Sequence, residues 1–143
     1  MAAPPVSRAP ILSDRVRRID GSFAFVPHRF LREGFFAALT KNELALYVFL
    51  VLAADRVGIS FYSYDRICAI LELDPDAYVD ARDGLLDADL IAFDGSRFQV
   101  VSLPARPSRR TGASLRTTEQ LESDDPATIR RLVARSLDER SGK

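Results

Sequence analysis

Two stretches decide how this chain folds: TKNELALYVFLVLAA at residues 40–54 and DPDAYVDARDGLLDADLIAFDGSRFQVVSL at residues 74–103. In the first, Thr40 and Glu43 stand at capping-box spacing. The Thr hydroxyl and the Glu carboxylate can each satisfy a backbone N–H that the first helical turn leaves without a partner. Leu44 to Ala54 is then apolar at almost every position, which predicts a helix that is hydrophobic nearly all round and lies at the centre of the domain. In the second stretch, Asp74 is a good N-cap and Pro75 a good first helical residue, because the N–H that proline lacks has no helical partner there. Tyr78, Ala81, Leu85 and Ala88 follow at helical spacing and predict one buried face. Leu90 to Phe93 then reads as a strand, Asp94 to Arg97 as a hairpin turn and Phe98 to Leu103 as the return strand.

The segments around these are weaker. Ile59 to Tyr62 is β-prone, and Ser63 is placed to cap a short helix whose apolar face is Ile67, Ile70 and Leu71. Upstream, Phe23 and Phe25 predict a short strand ended by Pro27, and Arg29 to Leu39 a short helix weakened by Gly34. Residues 1–20, with Pro4, Pro5, Pro10, Arg8, Arg15, Arg17 and Arg18, hold too few large apolar groups for a core and are expected to form a flexible basic arm. Residues 105–124 read as a flexible basic linker. In residues 125–140, Asp125-Pro126 is another cap-plus-proline start, and Ile129, Leu132, Val133, Ser136 and Leu137 make the apolar stripe of an amphipathic helix. The expected fold is mainly α with a small β hairpin, over residues 21–104.

Composition narrows the function classes. The chain has 143 residues, 47% hydrophobic and 28% charged, which suits one globular domain with tails. With 1 Cys and 1 His it has no disulfide framework and lacks the usual His/Cys ligand sets for a metal. There is no phosphate-binding glycine loop and no His-x-Glu or Cys-x-x-Cys pair, so no enzyme, cofactor or metal is expected. His28 reads as a surface or capping residue and Cys68 as a small half-buried side chain. Tyr62 and Tyr64 could stack on bases, but aromatics beside a short strand usually pack into the core. No window approaches a membrane span or a signal peptide, and a cytoplasmic location is expected.

The order of elements from Thr40 to Leu103 resembles the winged helix-turn-helix. The run Arg82-Asp83-Gly84-Leu85-Leu86-Asp87-Ala88-Asp89-Leu90-Ile91 is similar to the end of the recognition helix in multiple-antibiotic-resistance-regulator-like and replication-initiator-like winged helices. Asp89 stands where those families place glycine, which predicts a less sharply turned helix exit. Residues 19–103 also resemble small bacterial winged-helix proteins encoded beside insertion-sequence transposases. The resemblance implies that the second helix of the motif reads base edges while the wing holds phosphates. Carried onto this chain, the reading face is Asp76, Val79, Asp80, Arg82, Asp83 and Asp87, an acidic face that suits neither bases nor phosphates.

Charge is laid out in blocks. The 20 basic and 20 acidic residues cancel, yet residues 1–40 carry +3, residues 41–105 carry −6 and residues 106–143 carry +3. The basic footprint of a DNA binder therefore sits mostly outside the helix-turn-helix. Candidate nucleic-acid contacts are Arg15, Arg17, Arg18, Arg29, Arg32, Arg66, Arg82, Arg97, Arg106, Arg109 and Arg110. Candidate partner contacts are Ile129, Leu132, Val133 and Leu137. Two functions are expected from these features. One is a DNA-binding regulator or accessory factor of a mobile element, replication or defence system. The other is a non-enzymatic adaptor in a protein or ribonucleoprotein complex, docking through the C-terminal helix and the acidic face. A homodimer is a further expectation.

Overall fold

The computed structural model describes residues 7–107. The order is one 3-10 turn (Ser13–Arg15), α1 (Arg29–Arg32), α2 (Lys41–Ala53), β1 (Ile59–Ser60), α3 (Tyr64–Leu71), α4 (Pro75–Asp87), β2 (Ile91–Phe93) and β3 (Phe98–Val100). This is a mainly helical domain with a small three-stranded antiparallel sheet. The linker beyond Pro107 and the expected C-terminal helix lie outside the described residues.

Local chemistry sets the two long helices. The Glu43 N–H donates to Thr40 Oγ1 at 3.2 Å and the Thr40 N–H to Glu43 Oε1 at 2.9 Å, the reciprocal pair of a capping box. The Ala77 N–H donates to Asp74 Oδ1 at 2.7 Å, with Pro75 next in the chain. Ser63 holds the N-cap position of α3, but its side chain makes no capping bond.

The helices meet side on, α2 packing against α4 and against β1 and β3. Leu46, Tyr47, Leu50 and Val51 of α2 and Tyr78, Val79, Ala81 and Leu85 of α4 form the centre of the core with Ile67, Leu90, Ile91 and Phe98. Phe30 of α1 closes one end, its ring stacked on Tyr47 at 5.0 Å and on Phe35 at 6.2 Å. Two expectations of burial fail here. Leu52 is 69% exposed and Val48 43%, because α4 and the sheet cover only two sides of α2. Ile70 is likewise exposed, since α3 packs mainly on α4 through Ile67.

The sheet runs in the order β1-β3-β2. Ile59 pairs with Gln99, and Ile91, Ala92 and Phe93 pair with Val100, Gln99 and Phe98. The chain reaches β1 through Gly58, whose carbonyl accepts the Val100 N–H at 2.9 Å. Gly58 has φ +90°, and a Cβ there would lie 2.5 Å from Val100 O, so only glycine lets the two backbones approach.

Two further readings are corrected. Phe23 and Phe25 form no strand; they are exposed on a segment outside any helix or strand, because alternation alone supplies no neighbouring strand to pair with. The helix at Arg29 stops at Arg32, and Gly34, at φ +91°, opens a run of turns. The exit of α4 is as sharp as glycine would make it. Asp89 adopts φ +60°, its N–H donates to Leu86 O at 3.1 Å, and the Leu90 N–H donates to Leu85 O at 3.2 Å. These two bonds form the Schellman end of a helix, in a conformation that Asp tolerates better than most residues.

Two substitutions test this backbone by urea unfolding. Gly58→Ala should cost about 2 kcal/mol or more, through left-handed strain and the clash with Val100. Asp89→Gly should instead raise stability by a few tenths to about 1 kcal/mol.

Candidate nucleic-acid interface

The surface of α4 decides whether it can face a base. Asp76 and Asp80 are exposed and Asp83 and Asp87 half-buried, at successive spacings of four, three and four residues. That spacing puts all four on one stripe of the helix. The other two residues of the expected outer face are inside: Val79 is 2% exposed and Arg82 1%. Arg82 Nε and Nη2 donate to Asp83 Oδ1 at 3.2 and 3.1 Å. Its guanidinium lies 5.8 Å from the Tyr78 ring centroid and 5.3 Å from that of Phe93. The planar, weakly hydrated guanidinium packs on aromatic faces as an ammonium does not, and β2 carries Phe93 over this flank of α4. The outward placement of Val79 and Arg82 is therefore corrected, and α4 keeps no cation on its solvent face.

The remaining cations sit on separate elements. Arg15, Arg17 and Arg18 are exposed in the segment before α1. Arg29 pairs with Glu33 at 2.9 Å, donates to Pro104 O at 2.8 Å and Ala105 O at 3.4 Å, and lies over Phe35. It works as a tie between α1 and the chain leaving β3. Arg32 and Arg106 are exposed, and Arg66 covers the Tyr62 ring at 5.2 Å. Tyr62 in turn packs edge-on to Phe49, and Tyr64 stacks on Tyr78, so both tyrosines serve packing. Arg109, Arg110, Ile129, Leu132, Val133 and Leu137 lie outside the described residues.

The turn between β2 and β3 is closed by one carboxylate. Asp94 Oδ1 accepts from the N–H of Arg97 at 2.7 Å and of Ser96 at 3.0 Å, and Oδ2 from Arg97 Nε at 2.8 Å. The Arg97 N–H first, then the Ser96 N–H and the Arg97 side chain, hold the Asp94 carboxyl well below the usual carboxylate range.

The fold also forms a groove from segments distant in sequence. The groove, of about 900 Å³, lies between the Ser22–Pro27 segment and the end of α2, the turn into β1 and the chain leaving β3. Phe23, Phe25, Val51, Val57 and Leu103 line it, with Arg56 at its edge. The signal for it was the Phe-Ala-Phe pattern, which reads as a strand unless the third dimension is known.

Compared with known protein families, curated proteins and solved structures, the chain matches none of them. Among the described residues, no helix is long and apolar enough to cross a membrane, and no group of three His, Cys, Asp or Glu could hold a metal ion.

Arg82→Ala should lower stability by about 2–4 kcal/mol in a denaturant titration, as a large core truncation does, and Arg82→Met by clearly less. The Asp94 turn sets a pH dependence. A carboxyl whose folded pKa is depressed contributes stability above its unfolded value of about 3.9 and loses it as pH falls through the lower folded value. The Ser96 and Arg97 amide resonances should therefore hold their native shifts through pH 3.9 and move only below it; a midpoint near that value would refute the closed turn.

Proposed function

We propose that residues 29–103 form a winged helix-turn-helix, with α3 and α4 as the motif and β2–β3 as a short wing, and that it works as a protein-interaction module. The arrangement α1-α2-β1-α3-α4-β2-β3, with β3 between β1 and β2, supports the fold reading. The functional reading rests on one observation: the solvent-facing stripe of the helix that would enter the major groove is Asp76, Asp80, Asp83 and Asp87, while its one cation is buried.

Magnitudes favour this reading over base recognition. A phosphate brought to about 4 Å from one carboxylate meets roughly 1 kcal/mol of repulsion at the dielectric of water and about 4 kcal/mol at an effective dielectric of 20. Carboxylates gain only a contact to cytosine N4 in return. The same stripe attracts a basic polypeptide. Elsewhere on the domain Phe61 (71%) and Ile70 (52%) are exposed, apolar groups of the kind that protein interfaces cover.

A second reading has its own support. Arg15, Arg17 and Arg18 are exposed before α1 and Arg106 after β3, so duplex DNA could be held by phosphate contacts outside α4.

Fluorescence anisotropy of the full chain with mixed-sequence duplexes, across about 50 to 200 mM salt, separates the readings. The interaction module predicts no preference among sequences, and loss of any weak binding at the upper salt. Discrimination of about a thousandfold between sequences would overturn it. Steep, sequence-independent binding that falls when Arg15, Arg17 and Arg18 become Ala would favour the second reading. In parallel, Asp76→Lys/Asp80→Lys should abolish recovery of a basic protein partner that the unaltered chain retains.

A further inference from the structure

We propose that the groove beside α2 is covered by the chain's own C-terminal segment, the apolar stripe of Ile129, Leu132, Val133 and Leu137 lying against Phe23, Phe25 and Val57. The inference is independent of which macromolecule the domain serves.

The groove needs an occupant. Phe23 is 67% exposed, Phe25 75% and Val57 70%, and together they line one open apolar surface of about 900 Å³. Large apolar side chains left open side by side and rimmed by polar groups are the kind of surface a docked segment covers.

The place where the described chain ends points to that occupant. Val101, Ser102 and Leu103 form one wall of the groove. Arg29 then fastens the chain by its bonds to Pro104 O and Ala105 O, and the Pro107 ring lies 3.7 Å from where a Gly34 Cβ would be. Residues 108–143 therefore set out from beside the groove. As a flexible chain, residues 108–124 would span about 20–25 Å on a root-mean-square basis, enough to bring the stripe back to a groove beside their start. Tethering at that reach gives an effective concentration of the order of mM, far above that of a second copy at working concentrations.

The chemistry matches as well. The stripe is apolar, and a helix of about this length is marginal in water by itself, so it gains from the contact as much as the groove does. The charged residues at the groove are Arg29, Asp55 and Arg56, so the contact rests on apolar burial rather than on charge.

Hydrogen exchange of the full chain tests this. Amides of residues 23–26 and 101–103 should be protected, and Leu132→Asp/Leu137→Asp should speed their exchange by about tenfold or more while Leu50 and Leu85 stay protected. Val57→Asp, made on the groove side, should release the same amides. The effect should not change with protein concentration. Exchange unaltered by both variants would overturn the proposal, and so would protection that grows with concentration, which would assign the groove to a second copy.

Discussion

The packing of α4 governs what this domain can present to a partner. The helix is pressed against α2 on one side and covered by the hairpin on another, and Tyr78, Val79, Ala81, Arg82, Gly84 and Leu85 are all buried. A 13-residue helix buried to that extent keeps a narrow solvent face, and its two exposed residues are Asp76 and Asp80, with Asp83 and Asp87 half-buried on the same stripe. Core formation and surface chemistry are thereby coupled. The one cation of α4 is held inside, between Tyr78 and Phe93, where its aliphatic stem and planar head contribute to packing and its charge is directed at Asp83.

What the sequence made legible was local. Thr40 with Glu43 and Asp74 with Pro75 marked the starts of α2 and α4, since a cap bonds to backbone three residues away and needs no distant partner. The turn at Asp94 was legible for the same reason. The candidate site was less so. Arg82 falls on the face that the winged-helix resemblance gives to base reading, and nothing in the local sequence says that an aromatic from β2 will cover it. Phe23 and Phe25 alternate as a strand does, but pairing depends on an edge that the sequence does not display. Leu52 and Ile70 show the converse: their apolar character predicts burial, and the elements needed to cover them are absent from their side of the domain.

Asp89 illustrates a third kind of discrepancy. A residue other than glycine was expected to blunt the exit of α4, yet the backbone takes the left-handed conformation with Asp in place. The hydrogen bonds of the helix end and the burial of Leu90 outweigh the modest cost of that conformation. Glu72 ends α3 in the same conformation, at φ +55°. Both exits thus carry a negative charge beside the carbonyl end of a helix dipole, a placement that electrostatics disfavours and packing sustains.

The pairing of Arg97 with Asp94 bears on how the hairpin tip looks from a distance. The two side chains are 2.8 Å apart, so the tip carries opposite charges on one small turn and its far field is that of a dipole. A dipole's potential decays faster with distance than a single charge's, and at physiological ionic strength screening over about 8 Å shortens it further. Strands of three residues extend the hairpin by only about 10 Å. The arginine at the tip therefore adds little to the long-range field of the domain, and a polyanion could distinguish it only at close range.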